Sequence, residues 1–143
     1  MPKISRELID AMIAHARVDL PNEACGLLHA KNGVATSIHP VTNVAASPYR
    51  FEMHGIEQMR LEELRDQHGE TLFAIYHSHV ASPAYPSETD KRMAFFPPGE
   101  VEQEPSYPDT YYVLVSLAEE PPDVRAYRIR TGAVVEEEPI EVV

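Results

Sequence analysis

Cysteine is nearly absent. Cys25 stands alone among 143 residues, so no intramolecular disulfide forms and the disulfide-rich secreted class is excluded. Basic charge is scarce as well: 12 Lys and Arg face 23 Asp and Glu, for a formal net charge of -11. With no local basic patch, such a chain repels phosphate backbones and anionic lipid heads, which argues against nucleic acid and membrane partners. Long apolar runs are missing too. The start, Met1 to Glu7, has no apolar stretch behind a basic one, and no run reaches membrane-spanning length, so a cytoplasmic location is expected. What remains is an ordinary globular composition, 43% hydrophobic and 24% charged. The length suits one domain, expected over residues 1–143.

From Ile4 to Val18 the apolar residues Ile4, Leu8, Ile9, Met12, Ile13 and Ala16 recur at three- and four-residue spacing, with Ser5 as N-cap and Pro21 beyond the end. That spacing predicts an amphipathic helix. Residues 24–30 and 34–38 flank Lys31-Asn32-Gly33, and Asn-Gly supplies the positive φ angles of a tight hairpin. The segment 41–53 reads as an irregular crossing with a short strand at Tyr49–Glu52, and Gly55–His68 as a second helix with a charged outer face, stopping near Gly69. Thr71–Tyr76 is an almost uninterrupted apolar run rich in strand formers, hence a central strand, and it leads directly into His77-Ser78-His79. A loop, Val80–Pro86, precedes a third helix from Ser87 to about Phe96, and Pro97-Pro98-Gly99 ends it. An acidic, proline-punctuated insert follows to Pro108, a flexible lid or docking loop near the site. Strands are then expected over 110–117, 124–130 and 134–142. This order predicts an α+β fold, a mixed central sheet flanked by helices in three layers.

His77 and His79 are two apart at the end of a strand, so both imidazoles point to one side. Asp90 follows at the start of a helix after a short loop, where the chain can return a carboxylate to the same ion. Two histidines and a carboxylate form the ligand set of a catalytic zinc with one position left for water, and one cysteine is too few for a sulfur-rich structural site. Glu23, at the mouth of the first hairpin strand, is a candidate base for such a water, and Ser87 a candidate donor to an oxyanion.

Glu23, then His77-Ser78-His79, Ser87 and Asp90 resemble the signature of the JAMM (MPN-plus) zinc metalloproteases, an upstream Glu with H-x-H-P-x(6)-S-x(2)-D. The spacing from His79 to Ser87 to Asp90 matches without a gap, and Val80 stands where the family has proline. The resemblance implies one catalytic Zn²⁺ held by His77, His79 and Asp90, Glu23 as general acid and base, and Ser87 stabilising the intermediate. It also implies the fold, a three-layer arrangement of the MPN and cytidine-deaminase-like kind. Residues 7–17, 84–90, 111–116 and 125–129 are further similar to a small bacterial branch that includes a hydrolase releasing cysteine from the C-terminal glycine of a ubiquitin-like sulfur-carrier protein. That implies such a carrier as substrate and a place in cysteine biosynthesis. A deubiquitinase-like isopeptidase, a small-peptide metallopeptidase and a non-catalytic MPN scaffold are the alternatives.

Plainer roles stand beside these. Ser87 to Asp90 also fits a helix start in which the serine caps and the acid complements the dipole. Glu23 alone would be an ordinary solvated carboxylate. Cys25 reads as a small buried strand residue, with a cysteine nucleophile served by His77 or His79 as the competing role. His15, His29, His39, His54 and His68 read as structural or solvated, and Glu136-Glu137-Glu138 as a charged strand edge that discourages edge pairing.

Overall fold

The computed structural model describes all 143 residues. After a two-residue strand β1 (Lys3–Ile4), helix α1 (Arg6–Val18) begins where Ser5 Oγ accepts from the Leu8 N–H at 3.2 Å, and it buries Ile9, Met12 and Ala16 on one face. Strands β2 (Cys25–Lys31) and β3 (Val34–Val41) form the expected hairpin, with Asn32 and Gly33 at φ 54 and 77. Both central turn positions are thus left-handed, which asparagine and glycine tolerate best. Helix α2 (Gly55–His68) closes on Gly69 in the left-handed region. Strand β4 (Thr71–His79), helix α3 (Glu88–Met93), and strands β5 (Tyr111–Ser116), β6 (Asp123–Arg130), β7 (Val134–Glu138) and β8 (Glu141–Val142) complete the chain.

Six strands form one mixed sheet in the order β3-β2-β4-β5-β6-β7, in which only the β4–β5 pair is parallel. Below it, α1 packs Ile9, Met12 and Ala16 against Leu28, Ala74, Tyr76, Val113 and Val115. On the other face Leu27, Ile75 and Tyr112 meet Ala94 and Phe95 just past α3, with Leu61 of α2 alongside. This is the α+β, three-layer arrangement expected from the order of elements. No helix is long and apolar enough to cross a membrane.

As expected, β4 carries both histidines at its end, where Ser78 N–H donates to the Ala24 carbonyl and Leu117 N–H to that of His79. Three local expectations are revised. The Tyr49–Glu52 segment forms no strand; only an Asn43–Met53 bridge is present. Helix α3 stops at Met93, since Ala94 and Phe95 turn into the core. The 134–142 stretch is two strands parted by Pro139, which has no N–H for a ladder, and β8 pairs with β1 in a separate parallel ribbon. The insert after Gly99 is anchored: Ser106 N–H donates to the Ala94 carbonyl, and the Val101 carbonyl accepts from Gly132 N–H. At the β7 edge, Glu136, Glu137 and Glu138 pair with Arg130, Arg125 and Arg128 at 3.5, 3.1 and 3.0 Å.

One close approach sets the spacing of β2 and β4. Gly26 lies opposite Tyr76, and a Cβ at Gly26 would stand 2.4 Å from the Tyr76 hydroxyl oxygen. The tyrosine ring occupies that space and reaches the Nδ1 of His15 on α1 at 2.7 Å.

Candidate metal centre and active site

Strand alternation places His77 and His79 on one face of β4, where both are buried, and each Nε2 lies 3.1 Å from the same oxygen, Oδ2 of Asp90. All three groups present ligand atoms within 4.8 Å of one another. Asp90 arrives there because Ser87 starts α3: its Oγ accepts from Asp90 N–H at 3.0 Å, while Asp90 Oδ2 accepts from Ser87 N–H at 2.9 Å. The capping box is thus formed, and it leaves Asp90 facing both histidines, which is compatible with the ligand reading. Accepting from the backbone leaves the Ser87 O–H free to donate.

The tautomer of His79 is fixed by its surroundings. Nδ1 is 2.8 Å from the Pro83 carbonyl, which can only accept, so Nδ1 carries the proton and Nε2 presents a lone pair to the Asp90 carboxylate. Two lone pairs facing across 3.1 Å require a positive charge between them. The titration directions agree. Burial works against the His79 imidazolium, yet Asp90 and the Pro83 carbonyl outweigh it and raise the pKa. Burial would raise Asp90, but His77, His79 and the Ser87 N–H hold it well below the usual carboxylate range. A divalent cation answers the same need, and two imidazole nitrogens each 3.1 Å from the same aspartate oxygen suit a tetrahedral ion with bonds of roughly 2 Å. The residues present fit zinc. The Phe51 ring stacks on His77, with centroids 4.4 Å apart.

Glu23 is buried, and its Oε1 has no hydrogen-bond partner. Its backbone is held from two sides: its N–H donates to the Ser47 carbonyl at 2.9 Å, and its carbonyl accepts from Asn43 Nδ2 at 3.0 Å. Burial first, and the neighbouring Asp90 second, push its pKa up to about 8. Such a carboxyl is poised to exchange a proton near neutrality. Glu23 shares a cavity of about 300 Å³ with His79 and Ser87, and a second cavity of similar size opens beside His77 and Asp90. His77, His79 and Asp90 thus converge on one point, and Glu23 and Ser87 line a cavity with His79.

Cys25 lies opposite His77 in the β2–β4 register, is fully buried, and donates from Sγ to the Val41 carbonyl at 3.4 Å. Burial pushes its thiol up to about 12, so it stays protonated and the nucleophile reading falls. Three contributors escaped the sequence reading. Ser78, between the histidines, accepts from Ala24 N–H at 2.8 Å and ties β4 to the segment carrying Glu23. Phe51 backs His77. Asn43 uses both ends of its amide, since Nδ2 donates to the Glu23 and Arg50 carbonyls while Oδ1 accepts from the N–H groups of Ala45 and Glu52. An asparagine ahead of the small residues Val44-Ala45-Ala46 is a turn-forming signal that could have revealed it.

Residues 5–130 match the family described as prokaryotic homologs of the JAB domain, and the chain belongs to that family, within the JAMM hydrolases. Among its relatives, the CysO-cysteine peptidase of Mycobacterium tuberculosis is 39% identical over 143 residues, covering 98% of this chain and 90% of that one. The desampylase of Haloferax volcanii is 36% identical over 95 residues, covering 62% and 68%. The solved structure of DSY2949 from Desulfitobacterium hafniense superposes with a TM-score of 0.82 at 32% identity, over 100% of this chain and 93% of that one. The chain is therefore read as an enzyme, and the non-catalytic scaffold is set aside.

Proposed function

We propose that this hydrolase is zinc-dependent and cleaves the amide between the C-terminal glycine of a ubiquitin-like sulfur-carrier protein and cysteine, releasing cysteine. The observation that carries the chemistry is the pair of imidazole nitrogens turned onto one carboxylate oxygen beside a buried glutamate with a free Oε1. The full-length similarity to a CysO-cysteine peptidase supports the substrate.

His77, His79 and Asp90 would hold the ion, which when bound supplies Lewis acidity and makes water a nucleophile near neutral pH. Glu23 accepts a proton from the attacking water, whose oxygen bonds to the glycine carbonyl carbon. Ser87 Oγ–H donates to the carbonyl oxygen as negative charge develops there. Glu23 then delivers its proton to the departing nitrogen as the C–N bond breaks, so carrier carboxylate and free cysteine leave with one water consumed. A glycine tail suits this approach. It lies extended beside the edge strand β3 and reaches the site by strand addition.

The similarity to a desampylase favours a second reading, an isopeptidase acting on protein conjugates. The test compares kcat/KM for a carrier–cysteine adduct, a carrier–lysine isopeptide and a free peptide with the same last residues. Recognition of a folded carrier places much of the binding energy away from the scissile bond, so the free peptide should lose rate as well as affinity. Equal values for peptide and adduct would overturn the carrier assignment and leave the metal chemistry standing.

A further inference from the structure

The cavity beside His77 and Asp90 is lined by one basic and two acidic side chains, Arg50, Glu52 and Asp90. Apolar side chains, among them Phe51, Met53, Ile75 and Tyr112, form most of its surface, and Arg50 is the one lysine or arginine that lines either cavity flanking the triad. Its volume of about 300 Å³ is at the small end of the range of ligand pockets, roughly 300–1,000 Å³. In a chain of net charge -11, a negatively charged ligand needs a local cation to approach.

Arg50 is placed to be that cation. Its guanidinium makes no hydrogen bond within the protein, and its closest carboxylate, Glu52, is 4.0 Å away with both side chains more than half exposed. A pair of that kind is loose and screened, and it leaves the planar donors of the guanidinium available for a carboxylate. The backbone beneath it is fixed. Asn43 Nδ2 binds the Arg50 carbonyl at 3.2 Å and the Glu23 carbonyl at 3.0 Å, so one amide sets Arg50 relative to the candidate base. The next residue, Phe51, stacks on His77.

We propose that this cavity receives the leaving group and that Arg50 binds its α-carboxylate, so that the enzyme selects a single amino acid, small and apolar in side chain, joined through its amine to the carrier glycine. The inference rests on the hydrolase reading above and deepens it. A lysine isopeptide brings an uncharged alkyl chain to the same place and gains nothing from the guanidinium.

The experiment uses one carrier bearing either cysteine or cysteinamide on its terminal glycine, identical but for the carboxylate charge. The parent should prefer the acid by about tenfold or more in kcat/KM, expressed chiefly in KM. Arg50→Gln, at a half-exposed side chain with no hydrogen bond to lose, should bring the ratio close to one, and Arg50→Lys should restore part of it. Calorimetric binding of both adducts to Glu23→Gln, with and without Arg50→Gln, gives the same comparison without turnover. An acid-to-amide ratio near one in the parent, or one unchanged by Arg50→Gln, overturns the assignment. Failure of the parent to hydrolyse either adduct overturns the hydrolase reading instead, and equal binding of acid and amide in the calorimetric arm then overturns the role of Arg50 as well.

Discussion

The sheet carries two histidine clusters that treat charge in opposite ways. His29 on β2 and His39 on β3 stack with centroids 4.0 Å apart, the Arg65 guanidinium lies 3.1 Å from His29 Nε2, and Glu70 stands 3.9 Å from Nδ1. There the positive charge is built in. Burial first, then His39 and Arg65, lower the His29 pKa to about 4. At the end of β4 no arginine intervenes. His77 and His79 converge on Asp90 with nothing between them to balance the carboxylate, and the His79 pKa rises. Both sites are closely packed, and both combine histidine with a carboxylate. The difference lies in who supplies the cation: a guanidinium completes one cluster, whereas the other, on the proposed function, takes an ion from solution.

The most decisive way to break this contrast is metal content. One zinc per chain is expected by elemental analysis of protein purified without chelator. His77→Ala should lose both zinc and activity, while His29→Gln should keep the full complement; zinc lost equally from both variants would erase the distinction. Glu23→Gln should retain zinc and lose kcat by roughly 10²- to 10⁴-fold, the usual worth of a positioned acid–base group. His39→Gln, assayed alongside, should leave kcat near the parent value.

Ser87→Ala should lower kcat by about 10²-fold through the missing donor to the oxyanion, and stability by about 1 kcal/mol through the missing helix cap. Denaturant melts read separately from kinetics divide the two losses. The smallest effect concerns acid. Unfolded His29 takes up a proton near pH 6.5, whereas the folded protein resists until about 4. Its contribution to stability is therefore present above pH 6.5 and is lost as pH falls toward 4. Thermal melts of the parent should decline over that window more steeply than those of His29→Gln, and identical slopes would show that His29 does not drive the decline.

The features legible in the sequence are those whose cause is local. Asn32-Gly33 announces its turn by backbone preference, the spacing of Ile9, Met12 and Ala16 its helix, and His77-x-His79 a shared face by strand alternation. What escaped depends on partners distant in sequence. Tyr49–Glu52 has the alternation of a strand, yet Glu52 N–H is taken by Asn43 Oδ1 and its carbonyl by Val44 N–H, so the segment folds into a loop around one amide. Strand β8 exists because Lys3 and Ile4 pair with Glu141 and Val142, a contact that no window of sequence contains. The end of α3 is set by burial of Ala94 and Phe95, which overrides helical continuation. At the site the candidate ligands and base are legible as chemistry, whereas Asn43, Ser78 and Phe51 act through hydrogen bonds and stacking that only the fold creates.

Gly26 touches no ligand, yet a methyl group there would meet the Tyr76 ring, and Tyr76 immediately precedes His77 on the strand that bears both histidines. Overpacking of this kind costs about 1–3 kcal/mol where neighbours can move at all. Here the neighbour that must move is the far end of the buried Tyr76 ring, which is bonded to His15. In a mutational scan scored by activity, position 26 should tolerate larger residues poorly, because the buried Tyr76 ring occupies the space a side chain would need.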